Sequence, residues 1–187
     1  MQRQSLLAIG GGLVLLAGLA ACSSLPDRMT GLRAGAAQMA DVDGNPVIQS
    51  VSGHWEVIGS LGNLNKISVN AEKRLDGTVT GEVQYEQFTP EGLSILAHAV
   101  VRCLKVQDNV ARLAVEGDET TEAGTVHGFG ILTAIDNGEG QPNPDMASNL
   151  IPVASGETRA LSHCGETPVI PDSRALPVQR GNVQVRS

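Results

Sequence analysis

The sequence predicts an all-β protein, an antiparallel sandwich or barrel of short strands that follows a signal peptide and a flexible tether. Three observations support this fold class. From His54 onward, apolar residues alternate with polar ones at a period of two, which is typical of a sheet with one solvent-facing side. Clusters of Gly, Asp, Asn and Pro separate the alternating runs. No segment after residue 53 has a 3.6-residue repeat that is long enough to predict a helix.

Six alternating runs define the predicted domain, residues 54–187. Their ranges are 67–71, 78–85, 100–106, 111–115, 129–135 and 183–185. Between the first two runs, Asp76-Gly77 supplies the positive-φ pair that a tight hairpin prefers. Gln107-Asp108-Asn109 and Asp136-Asn137-Gly138 mark later turns. The chain has only one Trp, one Tyr and two Phe, so the core is predicted to consist mostly of Val, Leu, Ile and Ala.

The first residues have the features of a secretory signal peptide. Arg3 is positively charged, and residues 6–19 form an uncharged run that is shorter than the roughly 20 apolar residues of a membrane span. Leu19-Ala20-Ala21-Cys22 follows and resembles the lipobox of bacterial lipoproteins, which are cleaved before a cysteine that carries diacylglycerol. This resemblance implies a signal peptide over residues 1–21 and lipid on Cys22. The alternative is an ordinary signal peptide with Cys22 present by chance.

Residues 22–53 are predicted to be a lipidated tether, because small and polar residues dominate and aromatic residues are absent. The expected location is the cell envelope. Each buried methylene of an acyl chain adds about 0.8 kcal/mol, so two or more chains hold a protein on a membrane. Ser23-Ser24 lacks the aspartate that often retains lipoproteins at the inner membrane, which favours the outer membrane in a cell that has one.

The charge of the chain excludes some partners. The net charge is −7, and it becomes −8 without residues 1–21, which contain Arg3 and no acidic residue. Nucleic-acid binding needs clustered Lys and Arg, which this sequence lacks. A polybasic contact with anionic lipid is excluded for the same reason. Contact with a membrane is therefore predicted to depend on the lipid anchor.

Two cysteines remain once Cys22 is assigned to the lipid. Cys103 and Cys164 form an even pair in a chain predicted to be exported, where disulfides persist. A bond between them would close a loop of about 60 residues and stabilise the fold by roughly 3–5 kcal/mol. Two free buried thiols, or a reactive Cys164 beside His163, are the alternatives.

The mature region also resembles an exported bacterial all-β domain of the post-COAP type. The similar segments cover roughly residues 54–187 in the same order. They are Asn70-Ala71, Asp76-Gly77-Thr78-Val79, Gly81, Val83-Gln84-Tyr85, Val101, Cys103-Leu104, Val106, Asn109, Ala111, residues 136–140, Cys164, Gly181-Asn182-Val183 and Val185. That family has no established activity, so the resemblance implies an exported β domain and no mechanism.

Catalytic patterns are weak in this sequence. Ser155 and the pair Ser162-His163 are the serine-hydrolase candidates, and neither serine lies in a G-x-S-x-G turn. On a strand, the adjacent His163 and Cys164 would point to opposite faces and would not pair. The four histidines, His54, His98, His127 and His163, lack zinc-binding spacing, although a sheet can gather distant residues.

One loop has the composition of a calcium site. Residues 136–145 offer the oxygen ligands of Asp136, Asn137, Glu139 and Asp145, which hard cations prefer. The spacing does not match an EF-hand, and the alternative is a turn whose Asp and Asn side chains cap their own backbone. Apart from the covalent lipid and calcium at this loop, no cofactor is predicted. A second acidic group, Glu116, Asp118, Glu119 and Glu122, is interpreted as a solvated hairpin loop.

Two functions fit these observations. The first is a non-catalytic β module, lipid-anchored at the membrane, that binds an envelope protein or glycan or has a structural role there. The second is a periplasmic or surface enzyme, hydrolase-like, with a site assembled from separated loops.

Overall fold

The computed structural model describes residues 44–59, 61–165 and 167–187. The predicted signal peptide (1–21), the lipidated Cys22 and the tether as far as residue 43 lie outside the described residues.

The described residues contain nine strands, one short helix and two 3₁₀ turns. The strands are β1 (Val47–Ile58), β2 (Leu64–Arg74), β3 (Val79–Thr89), β4 (Gly92–Gln107), β5 (Val110–Thr121), β6 (Gly124–Ile135), β7 (Met146–Ala147), β8 (Ile151–Pro152) and β9 (Leu176–Arg186). The helix is α1 (Glu157–Leu161), and the 3₁₀ turns are Ser162–Cys164 and Asp172–Arg174. Within these ranges, no helix has the length and apolarity needed to cross a membrane.

The strands form one antiparallel sheet that closes on itself. Strands β1 to β6 pair in sequence order, and β9 pairs with the free side of β1. The two-residue strand β7 bridges β9 and β6, which completes the ring because β6 also pairs with β5. Strand β8 continues along the same side of β6. The all-β prediction is confirmed, and the sheet takes the barrel form of the two that were predicted.

Two predicted turns close hairpins as expected. Asp76-Gly77 lies in the loop between β2 and β3, where Gly77 has φ of 90° and the Asp76 side chain accepts a 2.8 Å hydrogen bond from the Thr78 N–H. That bond is the main reason why the pKa of Asp76 is lowered. Of the predicted positive-φ pair, only Gly77 has a positive φ. Asp108, with φ of 55°, forms the two-residue turn between β4 and β5 together with Asn109.

The strands are longer than the sequence pattern predicts, and the sheet begins earlier. Seven of them have 11 to 16 residues. Strand β1 starts at Val47, so the sheet includes residues 47–53, which the sequence analysis assigns to the tether. The start of this strand is not apparent from the sequence, because Gly53 interrupts the apolar alternation at an inward position between the buried Val51 and Trp55. A Cβ at Gly53 would overlap the Asn182 carbonyl oxygen of β9, so only glycine fits there.

Inward-facing side chains fill most of the closed sheet. Trp55 is the largest of them and is fully buried, and the others are mainly Val, Ala, Leu and Ile, as predicted. Since small side chains bury less apolar area per residue, this core gains less from burial than an aromatic-rich one would.

A second, smaller core lies on the outer face of the sheet. Ala114 of β5 and Ile131 of β6 pack there against Ala160 of α1 and against Ile170. The disulfide between Cys103 of β4 and Cys164 joins this covering segment to the sheet, with the two Cα atoms 6.3 Å apart. The segment around α1 therefore acts as a cover for the face formed by β4, β5 and β6.

Candidate ligand pocket

An apolar pocket opens inside one end of the closed sheet, between β4, β5 and the first half of β6. Two rows of paired residues cross it. Ala97, Glu119 and Val126 form the outer row. Ala99, Gly117 and Gly128 form the next row inward, and all six residues line the pocket. These positions are on the inner face, because Ala97 and Ala99 belong to the main core.

The pocket exists because a strand neighbour and several side chains are missing at this end. Strand β8 ends opposite Gly130, so among the described strands the first half of β6 pairs only with β5. Leu150 and Pro152 of the β8 region also line the pocket. The cavity measures about 210 Å³ and is mostly apolar. Val126 at its rim is 70% exposed, which is unusual for a residue on the inner face of a sheet.

The glycines that line the pocket have different roles. A Cβ at Gly117 would overlap the His98 carbonyl oxygen, so this glycine allows β4 and β5 to approach closely. A Cβ at Gly130 would come within 3.0 Å of the Leu150 side chain. At Gly128, a Cβ would meet no atom within 4 Å and would extend into open space. Gly128 is thus the position where a side chain can fill the pocket without moving the backbone.

A network of polar side chains lies next to this region of the core. The Tyr85 hydroxyl, on the residue paired with Ala97, donates a 2.8 Å hydrogen bond to Asn65 Oδ1. Asn65, fully buried, donates in turn to Asn149 Oδ1 at 3.1 Å, across the closed sheet. Burial raises the pKa of Tyr85, and the negative charge of Glu119 raises it further. The tyrosine is therefore a neutral hydrogen-bonding group, and Glu119 is close enough to influence it.

On the outer face of the same strands, His127 contacts two carboxylates. Its Nδ1 is 2.8 Å from Asp118 Oδ1, and its Nε2 is 3.3 Å from Glu116 Oε1. Hydrogen bonds to Asp118 first, and then to Glu116, raise the pKa of His127. All three side chains are on the outer face, whereas the Glu119 side chain is on the inner face. Of the three, Asp118 also borders the pocket. The prediction that the acidic group of Glu116, Asp118, Glu119 and Glu122 forms a hairpin loop is wrong for three of its four members, which lie on β5, with Glu116 and Asp118 on the outer face and Glu119 on the inner face.

The residues with weak catalytic patterns in the sequence have structural contacts. His163 is fully buried, and its Nε2 lies 3.2 Å from the Leu132 carbonyl oxygen, to which it donates. Its Nδ1 accepts from the Ile170 N–H at 3.4 Å. Burial lowers the pKa of His163, which keeps the imidazole neutral. The Ser162 hydroxyl donates to the Arg159 carbonyl oxygen at 2.7 Å.

His163 and Cys164 belong to a 3₁₀ turn, so the prediction that they lie on a strand and point to opposite faces is wrong. Cys164 is bonded to Cys103. The other histidines lie on separate parts of the sheet: His54 contacts Ser68 Oγ at 2.7 Å, and His98 contacts Glu82 at 3.4 Å. The fold does not bring the four histidines together.

The predicted calcium loop uses its carboxylates to bind backbone N–H groups. Asp145 accepts from Asn137 N–H at 2.9 Å and from Val183 N–H at 3.0 Å. Asp136 accepts from Gly138 N–H at 2.8 Å and from Val185 N–H at 3.0 Å. Strand β9 needs these acceptors because β7 pairs with it at only two positions. The two side chains thus replace a neighbouring strand along β9.

The side chains of Asn137 and Glu139, the other two predicted ligands in that loop, do not accept backbone N–H bonds from β9. Asn137 Nδ2 donates to the Pro144 carbonyl oxygen at 2.6 Å, and Glu139 is exposed. An open, polar cavity of about 320 Å³ lies beside the loop. Across residues 44–59, 61–165 and 167–187, no group of three His, Cys, Asp or Glu side chains has an arrangement that could hold a metal ion.

Comparison with protein-family models, curated proteins and solved structures finds no match to this chain. The geometry of the described residues is therefore the basis for a functional assignment.

Sequence reasoning missed the pocket. The sequence pattern predicts shorter β5 and β6 strands and therefore places Glu119 in a solvated hairpin loop. One signal was present: Gly117, Gly128 and Gly130 lie within strand patterns, and glycine inside a strand often marks close approach of a backbone or a ligand. The pairing of Gly117 with Gly128 across β5 and β6 is decided by the register.

Proposed function

We propose that this chain is a bacterial envelope lipoprotein whose closed β domain binds a small, mostly apolar ligand without catalysing a reaction. The single observation that supports binding is the apolar pocket between β4, β5 and β6. Lipid on Cys22 holds the domain on a membrane, the outer membrane in a cell that has one. This part of the proposal rests on the sequence Leu19-Ala20-Ala21-Cys22 and on the resemblance to an exported β domain.

The size of the pocket fits a small ligand. An apolar cavity of roughly 150 Å³ in another protein stays dry and binds benzene. A cavity of about 210 Å³ has room for a one-ring compound or a short alkyl chain. Ligand sites are typically concave and apolar with a few polar groups, and here Glu119 provides a polar group in an apolar lining.

The contacts of the titratable residues favour binding over catalysis. A nucleophile and its base must be within hydrogen-bond reach of each other and of a substrate. Cys164 is instead bonded to Cys103, and His163 is buried between β6 and the covering segment. His127, which has acidic neighbours, lies on the outer face and is not among the residues that line the pocket.

The experiment compares a filled pocket with an open one. Gly128→Leu puts a side chain into open space, whereas Thr125→Leu adds the same side chain on the outer face of β6, where the Thr125 hydroxyl contacts Thr120. Benzene and indole are titrated into each protein while the backbone amide resonances are followed by NMR. We expect shifts concentrated on β4, β5 and β6 in the wild type and in Thr125→Leu, and none in Gly128→Leu. Equal shifts in both variants, or no shifts in the wild type, would refute binding at this pocket.

A further inference from the structure

Glu119 is a charged side chain in the lining of the apolar pocket, and the structure gives it no cationic partner. Neighbouring carboxylates have one: Glu116 is 3.3 Å from Arg102, and Asp118 is 2.8 Å from His127. Across the part of the chain that the structure describes, no Lys, Arg or His forms an ion pair with Glu119. Glu119 is only partly buried, so solvent at the mouth of the pocket stabilises its charge.

A ligand that enters the pocket removes some of this water. A neutral or anionic ligand would leave the Glu119 carboxylate desolvated and unpaired, which is unfavourable. A ligand with a positive charge near Glu119 would compensate for the lost hydration. The overall negative charge of the chain acts in the same direction, because it attracts cations towards the surface.

We propose that the ligand is a small amphiphilic cation, with an apolar body that fills the pocket and a protonated amine that pairs with Glu119. This inference rests on the proposed binding function and adds the chemical class of the ligand. Glu119 is in the outer row, and Val115, which lies four residues earlier on β5, lines the inner part of the pocket. At about 3.3 Å per residue, these positions are roughly 13 Å apart along the strand. An extended six-carbon chain with a terminal amine fits within that distance.

The test uses the mature polypeptide, residues 22–187, with Cys22→Ser so that no acyl chain competes for the pocket. Three probes share the same alkyl chain: hexylammonium, 1-hexanol and hexanoate. Their affinities are measured by NMR titration of the backbone amides of β4, β5 and β6. We expect hexylammonium to bind about tenfold more tightly than 1-hexanol, and hexanoate to bind most weakly.

Two variants locate the charge that produces this order. Glu119→Gln should give hexylammonium and 1-hexanol equal affinities while 1-hexanol still binds. Glu122→Gln, which removes an exposed carboxylate from the adjacent turn, should leave the tenfold preference unchanged. If Glu119→Gln does not fold, the salt dependence of the wild type replaces it. Between 0.02 M and 0.5 M salt, hexylammonium should weaken several-fold and 1-hexanol should not.

The outcomes separate this inference from the proposed function. If hexylammonium and 1-hexanol bind the wild type at β4, β5 and β6 with equal affinity, the ligand class is wrong and the binding function stands. The ligand class is also wrong if hexanoate binds most tightly, or if the preference for hexylammonium survives Glu119→Gln. If none of the three probes shifts a pocket resonance, the proposed function fails, and the ligand class fails with it.

Discussion

Asp145→Asn tests whether the loop of residues 136–145 supports the sheet or binds calcium. In the structure, both oxygens of Asp145 accept backbone N–H bonds, from Asn137 at 2.9 Å and from Val183 at 3.0 Å. An asparagine keeps one acceptor and points an N–H₂ group at the other donor, so one bond is lost. A hydrogen bond to a charged group contributes about 1.5–3 kcal/mol. We therefore expect Asp145→Asn to lose about 2 kcal/mol of unfolding free energy, and Asp145→Ala to lose about 3–5 kcal/mol.

Urea denaturation measures this effect directly. With a slope of about 2 kcal/mol per molar urea, a loss of 2 kcal/mol lowers the midpoint by about 1 M. Glu139→Gln is the matched control, because it makes the same chemical change in the same loop at an exposed side chain. Surface changes of this kind usually stay within about 0.5 kcal/mol. Each protein is measured with millimolar calcium and again with a chelator.

Two results would contradict the structural role of Asp145. One is an Asp145→Asn midpoint equal to that of Glu139→Gln. The other is a wild type that calcium stabilises, combined with an Asp145→Asn variant that has lost this gain but is as stable as the wild type in chelator. The second result would support the calcium site that the loop composition predicts, because removing a carboxylate relieves repulsion in an empty site.

Three further predictions concern the covering segment, the anchor and the pH dependence. Replacing both Cys103 and Cys164 with Ala should lower the unfolding free energy by about 4 kcal/mol, since the bond closes a loop with a separation of 61 residues. Thermal melts of the wild type and the variant, with and without reductant, check this prediction, and equal melts would contradict it. Cys22→Ala should abolish lipidation and partitioning into detergent, and unchanged partitioning would exclude the lipid anchor. The pKa of His163 is lowered in the folded protein, so the contribution of this residue to stability is fully present above the unfolded pKa near 6.5 and is lost as the pH falls through the folded pKa. Between pH 8 and pH 5, His163→Gln should therefore lose less unfolding free energy than the wild type. Identical pH profiles in denaturation experiments would refute a lowered pKa at His163.

The composition and local pattern of the sequence determined the fold class. Alternating runs predict strands because successive residues on a strand face opposite sides, and this needs no knowledge of which strands pair. The turns at Asp76-Gly77 and Asp108-Asn109 were predictable for the same reason, since their chemistry is local. The pairing of Cys103 with Cys164 follows from the sequence once Cys22 is assigned to a lipid, because two of the three cysteines then remain. The five-residue helix α1 is too short for a helical period to show in the sequence.

The candidate site depended on the tertiary structure. No recognisable motif connects Glu119, Gly128 and Leu150 in the sequence. They line one pocket only because of the register of β5 with β6 and the early end of β8. Asp136 and Asp145 have the composition of a cation site, but the shortness of β7 gives them unpaired N–H groups of β9 to bind. Local alternation fixes which residues face inward, whereas only the closure of the sheet decides which of those positions is left without a neighbour.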